Sequence, residues 1–260
     1  MISKDMIEKI AIELLMAEKN CSPIEPITTK YPNITIEDAY KVQTIIIEKK
    51  VQQGDIIIGR KIGLSSRTTQ AIFGIYEPIY GHLTKSMMLL EGEVVKMKEL
   101  IKPMIEAELA FIFGKELKGP VTVANILAST IGIVPAIEVV DSRIKDWKVK
   151  IQDIVADNVA SARVILGGRI MNVNEVDLRH IGLVFEKNNE VIATAAGAAV
   201  FGNPAYAVTW LVNKLSECGI VIKAGEVVIS GSLIGALPVK SGDSFRATFD
   251  RLGSVTVKFS

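Results

Sequence analysis

The sequence predicts an α+β protein in which a β-rich body, built on a mixed sheet or barrel-like roll, is preceded by a layer of helices. Two observations carry that prediction. Residues 1–55 place apolar side chains at helical spacing with Lys and Glu between them, and from Ile56 onward the pattern changes to short β-rich segments divided by Gly, Pro and Asn turns. The β-like segments outnumber the helical ones and do not alternate with them as βαβ units would, which argues against a doubly wound parallel sheet.

Residues 4–19 read as an amphipathic helix. A Pro-containing connector, Ser22 to Asn33, leads to Thr35-Ile36-Glu37-Asp38, the pattern of a capping box opening a second helix that ends near Gly54. These helices are expected to pack on the body or on a neighbouring subunit, dividing the chain into a helical extension, 1–55, and a main domain, 56–260. Strands are expected at 56–62, 94–97, 105–113, 133–140, 163–166, 181–186, 191–194, 226–230, 245–249 and 254–259. Further helices are expected at 67–73, 122–130 and 204–217, the last opening after Asn203-Pro204.

Bulk properties narrow the function classes. With 260 residues, 49% hydrophobic, the chain can bury a large core, and a net charge of +1 gives no electrostatic footprint for nucleic acid or an anionic membrane. Cys21 and Cys218 are the only cysteines, too few for a disulfide framework and without Cys-x-x-Cys spacing, so a reduced, cytoplasmic protein is expected. The N-terminal segment lacks the uninterrupted apolar core of a signal peptide, and no run reaches the roughly 18 apolar residues of a membrane span. Gly-x-Gly-x-x-Gly, Walker and Gly-x-Ser-x-Gly patterns are all absent.

The chemistry concentrates where acids interrupt apolar strands. In Ile105-Glu106-Ala107-Glu108-Leu109-Ala110-Phe111-Ile112 the two carboxylates share one face, because side chains alternate with a period of two. Glu138 stands in a second such run, Ile133 to Val140. Buried carboxylates are penalised by desolvation and repel one another, and a divalent cation removes both penalties. All-oxygen ligation suits Mg²⁺ or Mn²⁺ better than zinc, which makes Glu106, Glu108 and Glu138 a candidate ligand set. The pair alone reads equally as the solvated face of a half-buried strand with Ala107 and Leu109 turned inward, and the residues by themselves leave both readings open.

Lys61, inside Gly59-Arg60-Lys61-Ile62-Gly63-Leu64, is a candidate acid or base, since a desolvated lysine can have a lowered pKa; a surface charge is the plainer reading. Val155-Ala156-Asp157-Asn158-Val159-Ala160-Ser161 has small and polar residues suited to a pocket wall or to a capped turn. Gly231-Ser232, after an apolar strand, could offer an amide and a hydroxyl to a ligand or simply end the strand. His82 and His180 lack metal-type spacing and read as isolated residues.

Four motifs in order, Gly59-Arg60-Lys61-Ile62-Gly63-Leu64-Ser65-Ser66, Pro103-Met104-Ile105-Glu106-Ala107-Glu108, Pro135-Ala136-Ile137-Glu138-Val139-Val140-Asp141-Ser142-Arg143 and Val155-Ala156-Asp157-Asn158, resemble the 2-keto-4-pentenoate hydratase and 4-oxalocrotonate decarboxylase family of the fumarylacetoacetase-like superfamily. The resemblance covers nearly the whole chain. It implies a fumarylacetoacetase C-terminal-like mixed β-sheet roll with an N-terminal helical extension, a Mg²⁺ or Mn²⁺ site at Glu106, Glu108 and Glu138, and a catalytic Lys61. Substrate contacts are expected from Ser66, Ile79, Asp157, Asn158, Ser161 and Ser232, with Ser66, Arg67 and Arg143 as candidates for a distal carboxylate.

Family hydratases resemble one another in a Pro-Asp-Phe/Tyr-Gly segment, whereas this chain has Pro78-Ile79-Tyr80-Gly81, similar to the decarboxylases. Gly168 to Met171, Asp177 to Arg179 and Glu186 to Val191 lean the same way, and Gly231 to Ala236 looks nearer the hydratases. The resemblance therefore implies metal-dependent decarboxylation of 2-oxohex-3-enedioate to 2-hydroxypenta-2,4-dienoate in meta-cleavage aromatic catabolism, with Ile79 as an apolar wall that keeps water out. Hydration of the dienoate is the alternative. Hydrolysis of an acylpyruvate and a non-catalytic subunit binding a metal or dicarboxylate are the readings from other classes. Homo-oligomers, and a complex with the hydratase that consumes the product, are the partners the resemblance implies.

Overall fold

The computed structural model describes residues 2–260. Ser3 opens α1 (Lys4–Asn20) by accepting a hydrogen bond from the Met6 N–H, and the stripe Ile7, Ile10, Ala11, Leu14 and Ala17 is buried. The connector carries a single turn, α2 (Ile27–Lys30), which the spacing does not predict. Thr35 and Asp38 cap each other's backbone at the start of α3 (Ile36–Gln52), as the capping-box pattern requires.

The body then runs through β1 (Ile57–Gly63), α4 (Arg67–Ile72), β2 (Ile79–Thr84), β3 (Met88–Leu89), β4 (Val94–Val95), β5 (Met104–Phe113), α5 (Val123–Ser129) and β6 (Thr130–Val140). It continues with α6 (Ile151–Ala156), β7 (Ser161–Leu166), β8 (Gly182–Lys187), β9 (Glu190–Ala196), α7 (Pro204–Glu217), β10 (Val227–Ile229), β11 (Leu237–Pro238), β12 (Ser244–Phe249) and β13 (Gly253–Phe259). One sheet has the order β2-β1-β10-β5-β6-β7-β3, with β11 also pairing β5; the other has the order β4-β13-β12-β8-β9. Both are mixed, with β1–β10, β3–β7 and β4–β13 parallel and the remaining pairs antiparallel. The larger sheet curls until β2 approaches β7, so it has a concave and a convex face.

Register assigns the faces. On the concave side lie Lys61, Val227, Ile229, Ala110, Val134, Ala136 and Val164, together with the three glutamates. The convex side, with Ile105, Leu109, Phe111, Phe113 and Ile137, packs against Phe185, Phe245 and Val255 of the second sheet and Val208, Leu211 and Leu215 of α7 to form the main core. A third cluster joins α1 and α3 to Ile151, Ile154 and Val155 of α6, and to Ile79, Ile144 and Val159. Polar ties reinforce that seam: Thr28 donates its N–H and hydroxyl to the Asp153 carboxylate (2.9 and 2.8 Å), and the Gln43 amide donates to the carbonyls of Tyr80 and Val155 (3.1 and 2.8 Å).

The spacing misses β2 and α6, together with the two-residue strands β3 and β11. Pro78, Gly81 and His82 interrupt the alternation that marks a strand, yet every residue of β2 is buried because it lies beneath α3 and the turn after α6. α6 is too short to show a periodic stripe; Asp153 secures its start by accepting the Lys150 N–H. Among the described residues no helix is long and apolar enough to cross a membrane.

Candidate active site

Antiparallel pairing of β5 with β6 sets Glu106 directly opposite Glu138 and Glu108 opposite Ala136, so all three acids face the concave side. One carboxylate oxygen from each lies within 4.8 Å of those of the other two. Lys61 reaches the same point from β1, its ammonium in a 2.6 Å ion pair with Glu138 Oε2. The ammonium also donates to the Val159 carbonyl at 3.1 Å. Lys61 is 2% exposed and Glu138 is fully buried, so water does not compensate these charges.

The charge balance is incomplete. The Gly231 N–H donates to Glu108 Oε2 at 2.8 Å, so the amide considered for a ligand is spent on a carboxylate of the cluster. Gly231 has φ +95°, and a Cβ there would stand 2.3 Å from Ser65 Oγ, so glycine is what permits that approach. Among the described residues Glu108 Oε1 and Glu138 Oε1 have no hydrogen-bond partner, and Glu138 Oε2 has only the Lys61 ammonium beside it. Burial pushes Glu106 up to about 7, against the pull of Lys61 and with repulsion from Glu138. Burial, then Glu138 and Glu106, drive Glu108 well above the usual carboxylate range. For Lys61, burial disfavours the ammonium but the three carboxylates outweigh it and hold the group above its ordinary value. That corrects the expectation of a lowered lysine: the protein supplies the countercharge that a desolvated lysine lacks. Three convergent carboxylates, two of them buried with orphaned oxygens and the third, Glu106, open to the adjoining cavity, fit a hard divalent cation, whose charge and lone-pair demand match what is missing.

Beside this cluster opens a cavity of about 440 Å³. Its polar lining is Lys61, Glu106, Ser65, Ser66, Thr69 and Ser232, and the remaining wall is largely apolar, including Phe73, Met104, Trp147, Ile154, Val159 and Leu233. Ser66 also caps α4 by accepting the Thr69 N–H, and the Ser232 hydroxyl donates to the Ala107 carbonyl at 3.5 Å. A larger cleft of about 950 Å³, beside α1 and α3 and lined in part by Lys19, Lys49 and Lys50, holds no comparable cluster among the described residues.

Other expected contacts lie elsewhere. Ile79 lies on the face that carries Lys61 but packs into the helical cluster, and Val159, its neighbour there, lines the cavity in its place. Asp157 is turned away to a buried pair with Arg143, which donates to it through its backbone N–H and Nε. Arg143 spends its other donors on the carbonyls of Asp141, Ser161 and Asp157, so it is not free to hold a distal carboxylate. Arg67 is exposed on α4 and does not line the cavity. Asn158 bonds the backbone of His82 on both sides, accepting from its N–H (2.8 Å) and donating to its carbonyl (2.9 Å). Ser161 is buried against Met87. The reason is common to these residues: burial obliges each polar group to find a partner, and the nearest partners are backbone and Arg143.

The segment 158–160 holds a feature invisible to composition. Asn158, Val159 and Ala160 have φ of 50°, 53° and 56°, three consecutive non-glycine residues in the left-handed region. Each costs about 1–2 kcal/mol there, and a β-branched valine is the least suited.

A family model described as fumarylacetoacetate hydrolase C-terminal matches residues 76–260. The chain is 38% identical to a 2-hydroxyhexa-2,4-dienoate hydratase of Comamonas testosteroni, covering 100% of both. It is 39% identical to a 4-oxalocrotonate decarboxylase of Pseudomonas sp. (strain CF600), covering 99% of this chain and 98% of that one. Among solved structures, the 4-oxalocrotonate decarboxylase of Pseudomonas putida G7 in complex with magnesium and adipate superposes with a TM-score of 0.97 at 38% identity, over 100% of this chain and 99% of that one. With strands, helices and the family match in agreement along the body, the chain belongs to the fumarylacetoacetate hydrolase C-terminal family.

Proposed function

We propose that the protein is a lyase dependent on Mg²⁺ or Mn²⁺ that decarboxylates 2-oxohex-3-enedioate to 2-hydroxypenta-2,4-dienoate. The observation that carries this reading is the lining of the cavity: beyond Lys61 and Glu106 it presents only hydroxyls and apolar side chains. Hydration needs a positioned base to activate water, whereas loss of CO₂ needs an electron sink and a dry wall around the departing carboxylate.

Glu106, Glu108 and Glu138 would hold the cation, whose bound form supplies a Lewis acid for a 2-oxo acid. The residues of the chain do the rest. The Gly231 N–H fixes the Glu108 carboxylate, and Lys61 sets a positive charge at the carboxylate cluster, beside the place where negative charge develops on the keto oxygen. As the C5–C6 bond breaks, its electrons form C4=C5, those of C3=C4 form C2=C3, and the keto oxygen becomes the dienolate oxygen that takes a proton. The apolar wall at Val159, Ile154 and Phe73 excludes water from the carboxylate being lost.

The hydratase relatives are as similar as the decarboxylases, so hydration of the dienoate is the competing reading. Purified protein with Mg²⁺ is to be offered each substrate separately, followed by ultraviolet absorbance and CO₂ release. CO₂ from the enedioate with no hydration of the dienoate is expected; hydration without CO₂ release replaces this reading. A homo-oligomer, and association with a hydratase that would consume the unstable dienol, belong to the same proposal and are read by native mass with and without that hydratase.

A further inference from the structure

We propose that the left-handed turn Asn158–Ala160 is the positioning element of Lys61, with the Val159 carbonyl as the acceptor that aims its ammonium at the carboxylate cluster. This rests on the reading of Lys61 as the working cation of the site. Among the described residues Val159 O, at 3.1 Å, is the one neutral acceptor of the ammonium, beside its 2.6 Å ion pair with Glu138 Oε2. An ordinary extended or right-handed backbone at 158–160 would turn that carbonyl elsewhere, since a carbonyl's direction follows from φ and ψ.

The unfavourable conformation is imposed from several sides. Asn158 is locked to both backbone groups of His82 on β2, the Ala160 carbonyl accepts the Asp141 N–H at 2.8 Å, and Arg143 holds the carbonyl and carboxylate of Asp157 just before the turn. Gly81, the β2 partner of Lys61, completes the fit: a Cβ there would stand 2.8 Å from Asn158 O and 3.1 Å from Lys61 Cγ. The bare glycine lets the turn and the lysine stem meet. A strained segment over-determined by its surroundings, and touching a functional side chain, is what preorganisation of that side chain requires.

The test uses Val159→Gly, Val159→Ala and Asn158→Ala with Lys61→Ala as reference, each assayed on whichever substrate the wild type turns over. Glycine accepts positive φ without penalty, so Val159→Gly keeps the carbonyl while removing the restriction that aims it. Expected for Val159→Gly is a kcat lower by roughly 10- to 100-fold with metal affinity by calorimetry unchanged, and a thermal midpoint that keeps the protein folded at the assay temperature, since relief of the positive φ offsets part of the lost side-chain burial. Val159→Ala trims the same cavity wall but stays restricted, and is expected to lose far less. Asn158→Ala lies outside the cavity and is expected to lower kcat with KM retained; if it does not fold, the Val159 pair still decides. Equal loss in the Gly and Ala variants, or wild-type kcat in Val159→Gly while Lys61→Ala is inactive, overturns the positioning role. Wild-type turnover by Lys61→Ala instead overturns the reading of Lys61 on which it rests.

Discussion

Lys61 and Glu108 touch the same cluster but should fail differently when replaced. Lys61→Ala removes a positive charge from beside a cation site, so metal affinity by calorimetry is expected to hold or tighten while kcat falls by about 100-fold or more. Glu108→Ala removes a proposed ligand and leaves the Gly231 N–H without its acceptor, so affinity and turnover are expected to fall together. Ile79 behaves as a core residue. Ile79→Asp buries a carboxylate in an apolar cluster and is expected to cost about 3 kcal/mol or more in denaturant titration, with no hydratase activity gained by the folded fraction. At this scale the acids and Lys61 are conspicuous in the sequence because a charge in an apolar run is expensive and therefore informative. Asp157, Asn158 and Ser161 are not, because the same residue types serve a pocket wall and a buried hydrogen-bond network, and only neighbours distant in sequence choose between them.

Among elements, the seam between β2 and α3 carries a pH dependence. His82 donates through Nδ1 to the Gln43 side-chain carbonyl, an assignment set by the Gln43 amide donating to two backbone carbonyls. Burial, then the Arg60 charge, push His82 down to about 3 from an ordinary 6.5. The unfolded chain therefore takes a proton below pH 6.5 that the folded chain refuses until about pH 3, so this contribution is complete above pH 6.5 and is lost as pH falls. Asp157, pushed up to about 6 by burial despite Arg143, works in the opposite sense over the lower part of that range. Comparison with His82→Gln isolates the histidine: between pH 7 and pH 5 the wild type is expected to lose about 2 kcal/mol more unfolding free energy than the variant, and equal slopes would show that His82 titrates normally. β2 itself is illegible in the sequence because its glycine answers a contact with Lys61 and Asn158 rather than a strand's own pattern.

For the whole molecule, the carboxylate cluster links metal to stability. A cation held by these acids would join β5 to β6 at the centre of the larger sheet, where repulsion among three acids otherwise opposes folding. Binding to the folded chain alone adds about 2.7 kcal/mol at a hundredfold excess over Kd, so chelation is expected to lower the thermal midpoint by several degrees and readdition of Mg²⁺ to restore it. A midpoint indifferent to chelator would remove the cation from the cluster.

Periodicity, capping and apolar runs bounded by turns, which act over a few residues, are enough to place α1, α3, α7 and most strands of both sheets, since the helices and the smaller sheet meet water on one face and core on the other while the central strands of the larger sheet are apolar on both. The same local logic puts Glu106 and Glu108 on one face. Which face becomes concave, that Lys61 of β1 meets Glu138 of β6, that Ile79 yields the cavity wall to Val159, and that three L-residues are held left-handed were decided only in the tertiary structure. Those outcomes depend on sheet curl and on partners a hundred residues apart, and the strain at 158–160 runs against local preference, so it persists only because distant hydrogen bonds impose it.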